Sequence, residues 1–157
     1  MPIICHRAAH IEKTSGWQES VLHLAQFAEM AVPVLAALFL EITSGVILAM
    51  MVFLVLHEAT AICDVRYASA MREVSPTEQH IHSVLEMLPL TGLLLVIALH
   101  WPAFAALFGF GTPDFAQVPL PLSYIFTMLA LTALFEVPPY LEELIRGLRY
   151  RERPAKD

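Results

Sequence analysis

Four long apolar stretches constrain this chain more than any other feature of its sequence. Each meets or nears the roughly 20 residues that an α-helix needs to cross the hydrocarbon core of a bilayer. The residue content agrees, because 57% of the chain is hydrophobic and 15% is charged, against roughly 25% charged residues in a soluble domain. We therefore predict an all-α integral membrane protein with a single four-helix transmembrane domain. The predicted spans cover residues 20–42, 46–63, 84–108 and 120–138.

Basic residues are confined to three parts of the chain: before the first stretch, between the second and third, and after the fourth. An even number of spans places these three parts on one side, and the positive-inside rule makes that side cytoplasmic. We therefore expect an antiparallel up-down-up-down bundle in a bacterial-type inner (plasma) membrane, with both termini in the cytoplasm. The first stretch is too long for a cleaved signal and is expected to be retained as a helix. The basic residues are Arg7, Lys13, Arg66, Arg72, Arg146, Arg149, Arg151, Arg153 and Lys156.

Local signals define the connection between the second and third helices. Ser75 and Glu78 form a capping box with proline at the first helical position, so the third helix is predicted to begin at Pro76. No helix breaker lies between Val46 and Glu73, so the second helix is expected to continue beyond its apolar part. The two helices then form a long hairpin that protrudes into the cytoplasm. For Glu78 we expect the capping role alone.

The other connections are predicted from turn residues and prolines. A short turn at Thr43–Gly45 and a looser one at Gly109–Pro119 should join the remaining helices. Pro33, Pro89 and Pro102 can kink their helices, and Pro138-Pro139 should bend the fourth helix where it leaves the bilayer. Residues 139–157 are predicted to form a basic amphipathic cytoplasmic tail that lies against anionic lipid. Its expected intrahelical pairs, on a solvated face, are formed by Glu142, Glu143, Arg146 and Arg149.

Several ionisable residues lie within these apolar stretches or at their ends. A charge at such depth is costly unless it faces the bundle interior, so these residues form a functional-site hypothesis. Counting equal rise along antiparallel helices places Asp64 level with His82, and Glu29 level with His57. Every helix thus contributes to one zone in the cytoplasmic half. The residues are Glu29, His57, Glu58, Asp64, His82, Glu86 and Glu136.

Four of these residues form the centre of the predicted site, and they lie on the helices of the hairpin. His57 and Asp64 share one face of the second helix, and His82 and Glu86 share one face of the third. We expect the two faces to oppose each other. His23, near the start of the first helix, is expected to be a solvated or hydrogen-bonded interfacial residue.

Imidazole and carboxylate groups together favour iron, manganese or zinc over calcium. The arrangement is similar in kind to four-helix di-iron carboxylate proteins, whose ligands project inward from all four helices. The chain lacks their Glu-x-x-His spacing and the histidine boxes of membrane desaturases, so no family is assigned. We predict a site for two metal ions, with iron favoured and zinc or manganese possible, and with two carboxylates as proton carriers. The predicted ligands are His57, Asp64, His82, Glu86 and Glu29, and the predicted proton carriers are Glu58 and Glu136.

Three functions fit this pattern. The first is a di-metal oxidoreductase or oxygenase acting on a lipid or quinone, with a zinc hydrolase as a variant. The second is a small b-type cytochrome, with haem between His57 and His82 or between His23 and His82. The third is a proton or cation pathway, or an accessory subunit of a larger membrane complex, which would form a homo-oligomer if it acts alone. The net charge of −6 without a basic face argues against nucleic-acid binding. The relay of the third hypothesis would use Glu29, Glu58, Asp64, Glu86 and Glu136.

Overall fold

The computed structural model describes residues 14–110 and 120–151, and this part of the chain is helical without a strand. The N-terminal arm, most of the predicted loop 109–119 and the end of the tail lie outside the described residues. Four helical stretches are long and apolar enough to cross a membrane, and the fourth includes both α5 and α6. The all-α fold with four candidate membrane helices is therefore confirmed. The helices are α1 Trp17–Phe39, α2 Ser44–Met71, α3 Pro76–Leu99, α4 Trp101–Ala106, α5 Leu122–Phe135 and α6 Val137–Arg151.

The outer faces of the helices are apolar. Val55 is 68% exposed, Leu95 60% and Phe126 67%, and Glu78 is the one buried residue of α3. A water-soluble protein rarely exposes a large contiguous apolar surface. Lipid solvates such side chains without cost, so the surface is consistent with an integral membrane protein.

The ends of α2 and the start of α3 follow the local sequence. The hydroxyl of Ser75 accepts a hydrogen bond from the amide of Glu78 at 3.2 Å, and α3 begins at Pro76, as predicted. Helix α2 runs without a break to Met71, which confirms the long second helix. At its other end Thr43 caps α2, so the turn lies just before the residues predicted for it.

Two breaks divide the third and fourth predicted spans. His100 leaves the helical conformation, with φ −118° and ψ 41°, and α4 then begins with Pro102 in its first turn. Between α5 and α6 the break lies at Glu136, just before Pro138 and Pro139. A proline lacks the amide that would bond to the carbonyl four residues earlier, but it is tolerated in the first turn of a new helix. The kinks predicted at Pro102 and at Pro138-Pro139 are therefore helix boundaries, whereas Pro33 and Pro89 lie inside α1 and α3.

Helices α1 and α2 pack as an antiparallel pair, with Asp64 beside His23 and Thr60 beside Glu29. At the end where the two helices are joined, an apolar core includes Ile47 and Ala103. The hydroxyl of Ser44 donates to the carbonyl oxygen of Ala103 at 2.8 Å. This end of the bundle is closed by α4 and holds apolar side chains.

Helix α6 packs across the first half of α1, and Gly147 makes this approach possible. A Cβ at position 147 would lie 3.0 Å from the Cα of Trp17, so it would fit only if the backbone shifted by a few tenths of an ångström. The expectation that the acidic residues of the tail lie on a solvated face is wrong for Glu143, which is 4% exposed. Glu143 is covered because α6 docks on α1. Its neighbour Glu142 is exposed, as expected.

Candidate metal centre

A group of buried polar side chains lies at the end of the bundle opposite the apolar core. Helices α1, α2 and α6 each contribute to it, and the start of α3 adds Glu78. We call the set formed by Glu19, His23, Asp64 and Glu143 the His23 cluster. All four side chains are buried, with exposed fractions of 1%, 6%, 1% and 4% in that order.

The imidazole of His23 is surrounded by three carboxylates. Its Nδ1 lies 2.8 Å from Oε1 of Glu143, at hydrogen-bond distance. Its Nε2 faces the other way and lies 3.2 Å from Oδ2 of Asp64 and 4.0 Å from Oε1 of Glu19. The second oxygen of Asp64, Oδ1, is buried without a hydrogen-bond partner among the described residues.

Helical periodicity explains why these residues meet. Glu19 and His23 are four residues apart and therefore lie on one face of α1. On α2, the buried residues His57, Ala61 and Asp64 form a single stripe, as the sequence predicts, and this stripe faces α1. The two polar faces are held together by the antiparallel packing of the two helices.

Arg72 links three helices beside the His23 cluster. Its Nη2 lies 2.7 Å from Oε1 of Glu19, and its Nη1 lies 2.9 Å from Oε2 of Glu78. Hydrogen bonds from the guanidinium to Glu78, and then to Glu19, raise the pKa of Arg72 further above its already high value, against the opposing effect of burial. Glu78 thus has a role beyond the capping that the sequence predicts. Ser15 also donates to Glu19, so this carboxylate is well anchored.

A second polar contact joins α1 and α2 about two turns away. Thr60 donates to Oε1 of Glu29 at 2.8 Å, while Oε2 of Glu29 lies 3.9 Å from Nδ1 of His57. Oε2 of Glu29 and Nδ1 of His57 are both buried, and within residues 14–110 and 120–151 neither atom has a hydrogen-bond partner. This contact confirms the prediction that Glu29 and His57 lie at the same depth in the bundle.

A cavity of about 590 Å³ lies between α1, α2, α3, α5 and α6. Along α1 its wall changes from polar at His23 and Gln26 to apolar at Val34 and Leu38. Helix α3 shows the same change along its own length. Because the polar part lies toward the His23 cluster, the cavity connects that end of the bundle with its apolar middle. The other polar residues in the wall are His57, His82, Glu86, Tyr124 and Tyr140.

The four central residues predicted from sequence lie in one region, although the predicted facing is partly wrong. Asp64 contacts His23, and His57 contacts Glu29, so the polar face of α2 opposes α1 and not α3. The reason is that α1 packs directly on α2, whereas the cavity separates α3 from this face. His82 lies next to His23, with ring centroids 6.4 Å apart, and Glu86 lines the cavity.

The two predicted proton carriers lie outside the wall of the cavity. Glu58 follows His57 on α2 and is half-buried, and Glu136 is exposed at the junction of α5 and α6. Their catalytic assignment stays a prediction.

Sequence reasoning missed three residues of the site. His23 was expected near the solvent but is buried, because α6 covers it. The pair Glu19 and His23 has the same spacing as Glu78 and His82, so the signal for a polar face on α1 was present. No local pattern connects Glu143 with His23, since 120 residues separate them.

No protein-family model, curated protein or solved structure matches this chain. The geometry of the His23 cluster and of the adjoining cavity therefore carries the functional argument. One atom each from Glu19, His23 and Asp64 lie within 4.8 Å of one another. A nitrogen and two carboxylate oxygens are donor types that a divalent transition metal takes.

Proposed function

We propose that this chain is an integral membrane metalloprotein, with an oxidoreductase or oxygenase activity on a lipophilic molecule. The metal ion would be held by His23, Asp64 and Glu19, with iron favoured and zinc or manganese as alternatives. One observation carries the proposal. The Nδ1 of His23 is bonded to the buried carboxylate of Glu143, while Nε2 is directed toward two further carboxylates.

This arrangement is the one that metal-binding histidines usually adopt. A ligating imidazole donates its other N–H to a carboxylate or carbonyl, which fixes the tautomer and increases the basicity of the ligating nitrogen. In the neutral imidazole whose Nδ1 donates to Glu143, Nε2 carries a lone pair, and this lone pair would face a metal ion held between Asp64 and Glu19. The proposal thus assigns Glu143 to orienting the ligand His23.

The distances require small movements. Ligand atoms at about 2.1 Å from a shared ion lie about 3.0–3.5 Å apart in tetrahedral or octahedral geometry. Nε2 of His23 is already 3.2 Å from Asp64 and 4.0 Å from Glu19. His82, whose ring centroid lies 6.4 Å from that of His23, offers a further imidazole and would complete the coordination after a change of rotamer.

The proposal requires one ion, whereas the sequence suggested two. A second ion would have to bind near Glu29 and His57, with Glu86 as a further ligand. The measured number of metal ions per chain distinguishes the two versions.

The proposed orientation places the His23 cluster near the cytoplasmic face. Arg66 and Arg72 lie at this end of α2, and Arg146 and Arg149 lie on α6, which covers the cluster. Basic residues favour the cytoplasmic side. The cavity would then extend from this face into the bilayer, so that a lipophilic substrate could reach the metal from the membrane. The metal, when bound, would supply activation of dioxygen or water.

Metal analysis tests the proposal directly. The full chain is purified in detergent, incubated in turn with Fe²⁺, Mn²⁺ or Zn²⁺, desalted and analysed by plasma mass spectrometry. We expect about one ion per chain in the wild type and a loss of most of it in His23→Ala and Asp64→Ala. His80→Ala is the matched control, because His80 is exposed on α3.

Two further measurements complete this experiment. Thermal unfolding in the same detergent shows whether the variants remain folded, and an absorption spectrum reports haem through a Soret band. Equal metal content in the wild type, His23→Ala and His80→Ala would contradict the proposal, and so would a Soret band that persists in His23→Ala.

A further inference from the structure

Two polar side chains in the cavity wall have buried nitrogen atoms without a hydrogen-bond partner in the described part of the chain. These atoms are Nε2 of Gln26 and Nδ1 of His57, and both residues line the cavity. His57 is 8% exposed. An unpaired buried donor or acceptor is unfavourable, because its lost hydrogen bonds to water are not replaced. Such groups in the wall of a large cavity indicate the place where a ligand makes its polar contacts.

The carboxylate of Glu29 belongs to the same group of atoms. Gln26 and Glu29 are three residues apart on α1 and so lie on neighbouring positions of one face. Thr60 holds one oxygen of Glu29, which leaves Oε2 buried and 3.9 Å from His57. A carboxylate acceptor therefore lies beside the ring nitrogen of His57, and Gln26 precedes Glu29 by about one turn on α1. Gln26 and His57 line the cavity, whereas Glu29 is not part of its wall. A hydroxyl or carbonyl oxygen is the ligand group that matches this set.

The rest of the cavity wall calls for an apolar body. From Gln26 to Leu38 the cavity follows α1 over about 18 Å, at 1.5 Å per residue. Over the second half of this length the wall is formed by Pro33, Val34 and Ala37 on α1 and by Leu93 on α3. Burial of an alkyl or isoprenoid chain here would be favourable by roughly 25 cal/mol per Å² of apolar surface.

The charges around the polar part select against an anionic head group. Oε2 of Glu29 lies 3.9 Å from Nδ1 of His57, and Glu86 lines the same cavity. Further carboxylates surround His23, which precedes Gln26 by about one turn on α1. A fatty-acid carboxylate or a phosphate would be repelled by these groups, and the effect is large where water is excluded. These carboxylates therefore argue against an anionic head group.

We infer that the cavity binds a bilayer amphiphile with a long apolar body and an uncharged hydroxyl or carbonyl head group, held by Gln26 and His57, with the carboxylate of Glu29 beside His57. The ligand's role as the substrate rests on the proposed function, since its head group would lie one helical turn from His23. Binding itself is independent of the metal. The two sources of such chemistry are a lipid-soluble quinone and a long-chain alcohol.

Glycine 92 offers a way to block the cavity without moving the backbone. Gly92 lines the cavity on α3, and a Cβ built at this position meets no atom within 4 Å. A leucine there would extend into the cavity and occupy the space of the apolar body. The helix also gains from the change, since glycine is unfavourable by about 1 kcal/mol in a helix interior.

Binding is measured with the full chain reconstituted in lipid nanodiscs. The labelled probes are a benzoquinone with a decyl tail, decanol and decanoate. We expect saturable binding of the quinone or of decanol, and which of them binds identifies the head group. Decanoate should bind at least about tenfold more weakly, which corresponds to 1.4 kcal/mol.

Variants separate the contributions of the wall. Gln26→Leu and His57→Leu should each reduce the affinity about tenfold, and Gly92→Leu should abolish saturable binding. Gln79→Leu, at an exposed position of α3, is the control and should bind as the wild type does. Metal content should be normal in Gly92→Leu, so the failure of this inference is distinguishable from the failure of the metal site. No saturable binding of either neutral probe, or equal affinity in Gln26→Leu and Gln79→Leu, would overturn the inference.

Discussion

Nδ1 of His23 lies 2.8 Å from Oε1 of Glu143, although 120 residues separate the two in the chain. The last helix is therefore part of the buried cluster and does not form a separate tail. Its contribution depends on the close approach of α6 to α1 at Gly147. The proposed metal site is complete only when the first and last helices are packed together.

Glu143→Gln should weaken metal binding without unfolding the chain. The amide keeps the size of the side chain but loses the negative charge that holds the N–H of His23. Loss of such a partner typically costs about 10–100-fold in metal affinity. Competition with a chromophoric chelator measures the affinity. The control is Glu142→Gln at the neighbouring exposed position; equal affinities in the two variants would contradict the orienting role of Glu143.

Gly147→Ala should destabilise the protein, whereas Gly92→Ala should not. Both changes improve helix propensity by up to about 1 kcal/mol. Only at 147 does the new Cβ meet backbone, 3.0 Å from the Cα of Trp17, and overpacking of this kind costs about 1–3 kcal/mol. We expect Gly147→Ala to lower the midpoint of thermal unfolding in detergent and to lower metal affinity as α6 moves away. If both variants were as stable as the wild type, the contact of α6 with α1 would not be tight.

Arg72→Met should destabilise the bundle by about 3–5 kcal/mol, because it leaves the buried carboxylates of Glu19 and Glu78 without their cation. Arg66→Met removes a charge from an exposed position and should change stability little. A double variant with Glu78→Gln should recover part of the loss, since one of the orphaned charges is removed. Reversible unfolding in mixed micelles measures the three free energies. An effect of Arg72→Met no larger than that of Arg66→Met would show that the ion pairs do not stabilise the fold.

Counting along the helices predicted depth well. Glu29 meets His57, because antiparallel α-helices rise by the same distance per residue. Rotation about the helix axis could not be predicted in the same way. His57 and Asp64 face α1 because the short connection before α2 and the packing of the two helices fix that orientation. The burial of Glu143 also depends on tertiary packing, which no local pattern reports.

Thr60→Val should affect the polar part of the cavity, and Thr91→Val should not. Both threonines donate to the carbonyl oxygen four residues earlier in their own helix, Thr60 at 3.1 Å and Thr91 at 2.8 Å. The single hydroxyl proton of Thr60 is shared between this carbonyl and Oε1 of Glu29, which lies closer at 2.8 Å. Valine retains the shape of the threonine side chain without the hydroxyl. Loss of this bond leaves a half-buried carboxylate unsatisfied.

We expect Thr60→Val to lower stability by about 1–2 kcal/mol and to weaken binding of the neutral amphiphile, because Glu29 is no longer held in place. Thr91→Val should match the wild type in both measurements, since Thr91 is exposed on α3. Thermal unfolding and nanodisc binding are compared for the two variants. Metal content should stay the same in both, because the His23 cluster does not include Thr60. A stability loss in Thr60→Val with unchanged binding would assign Glu29 to structure and leave Gln26 and His57 as the contacts of the head group.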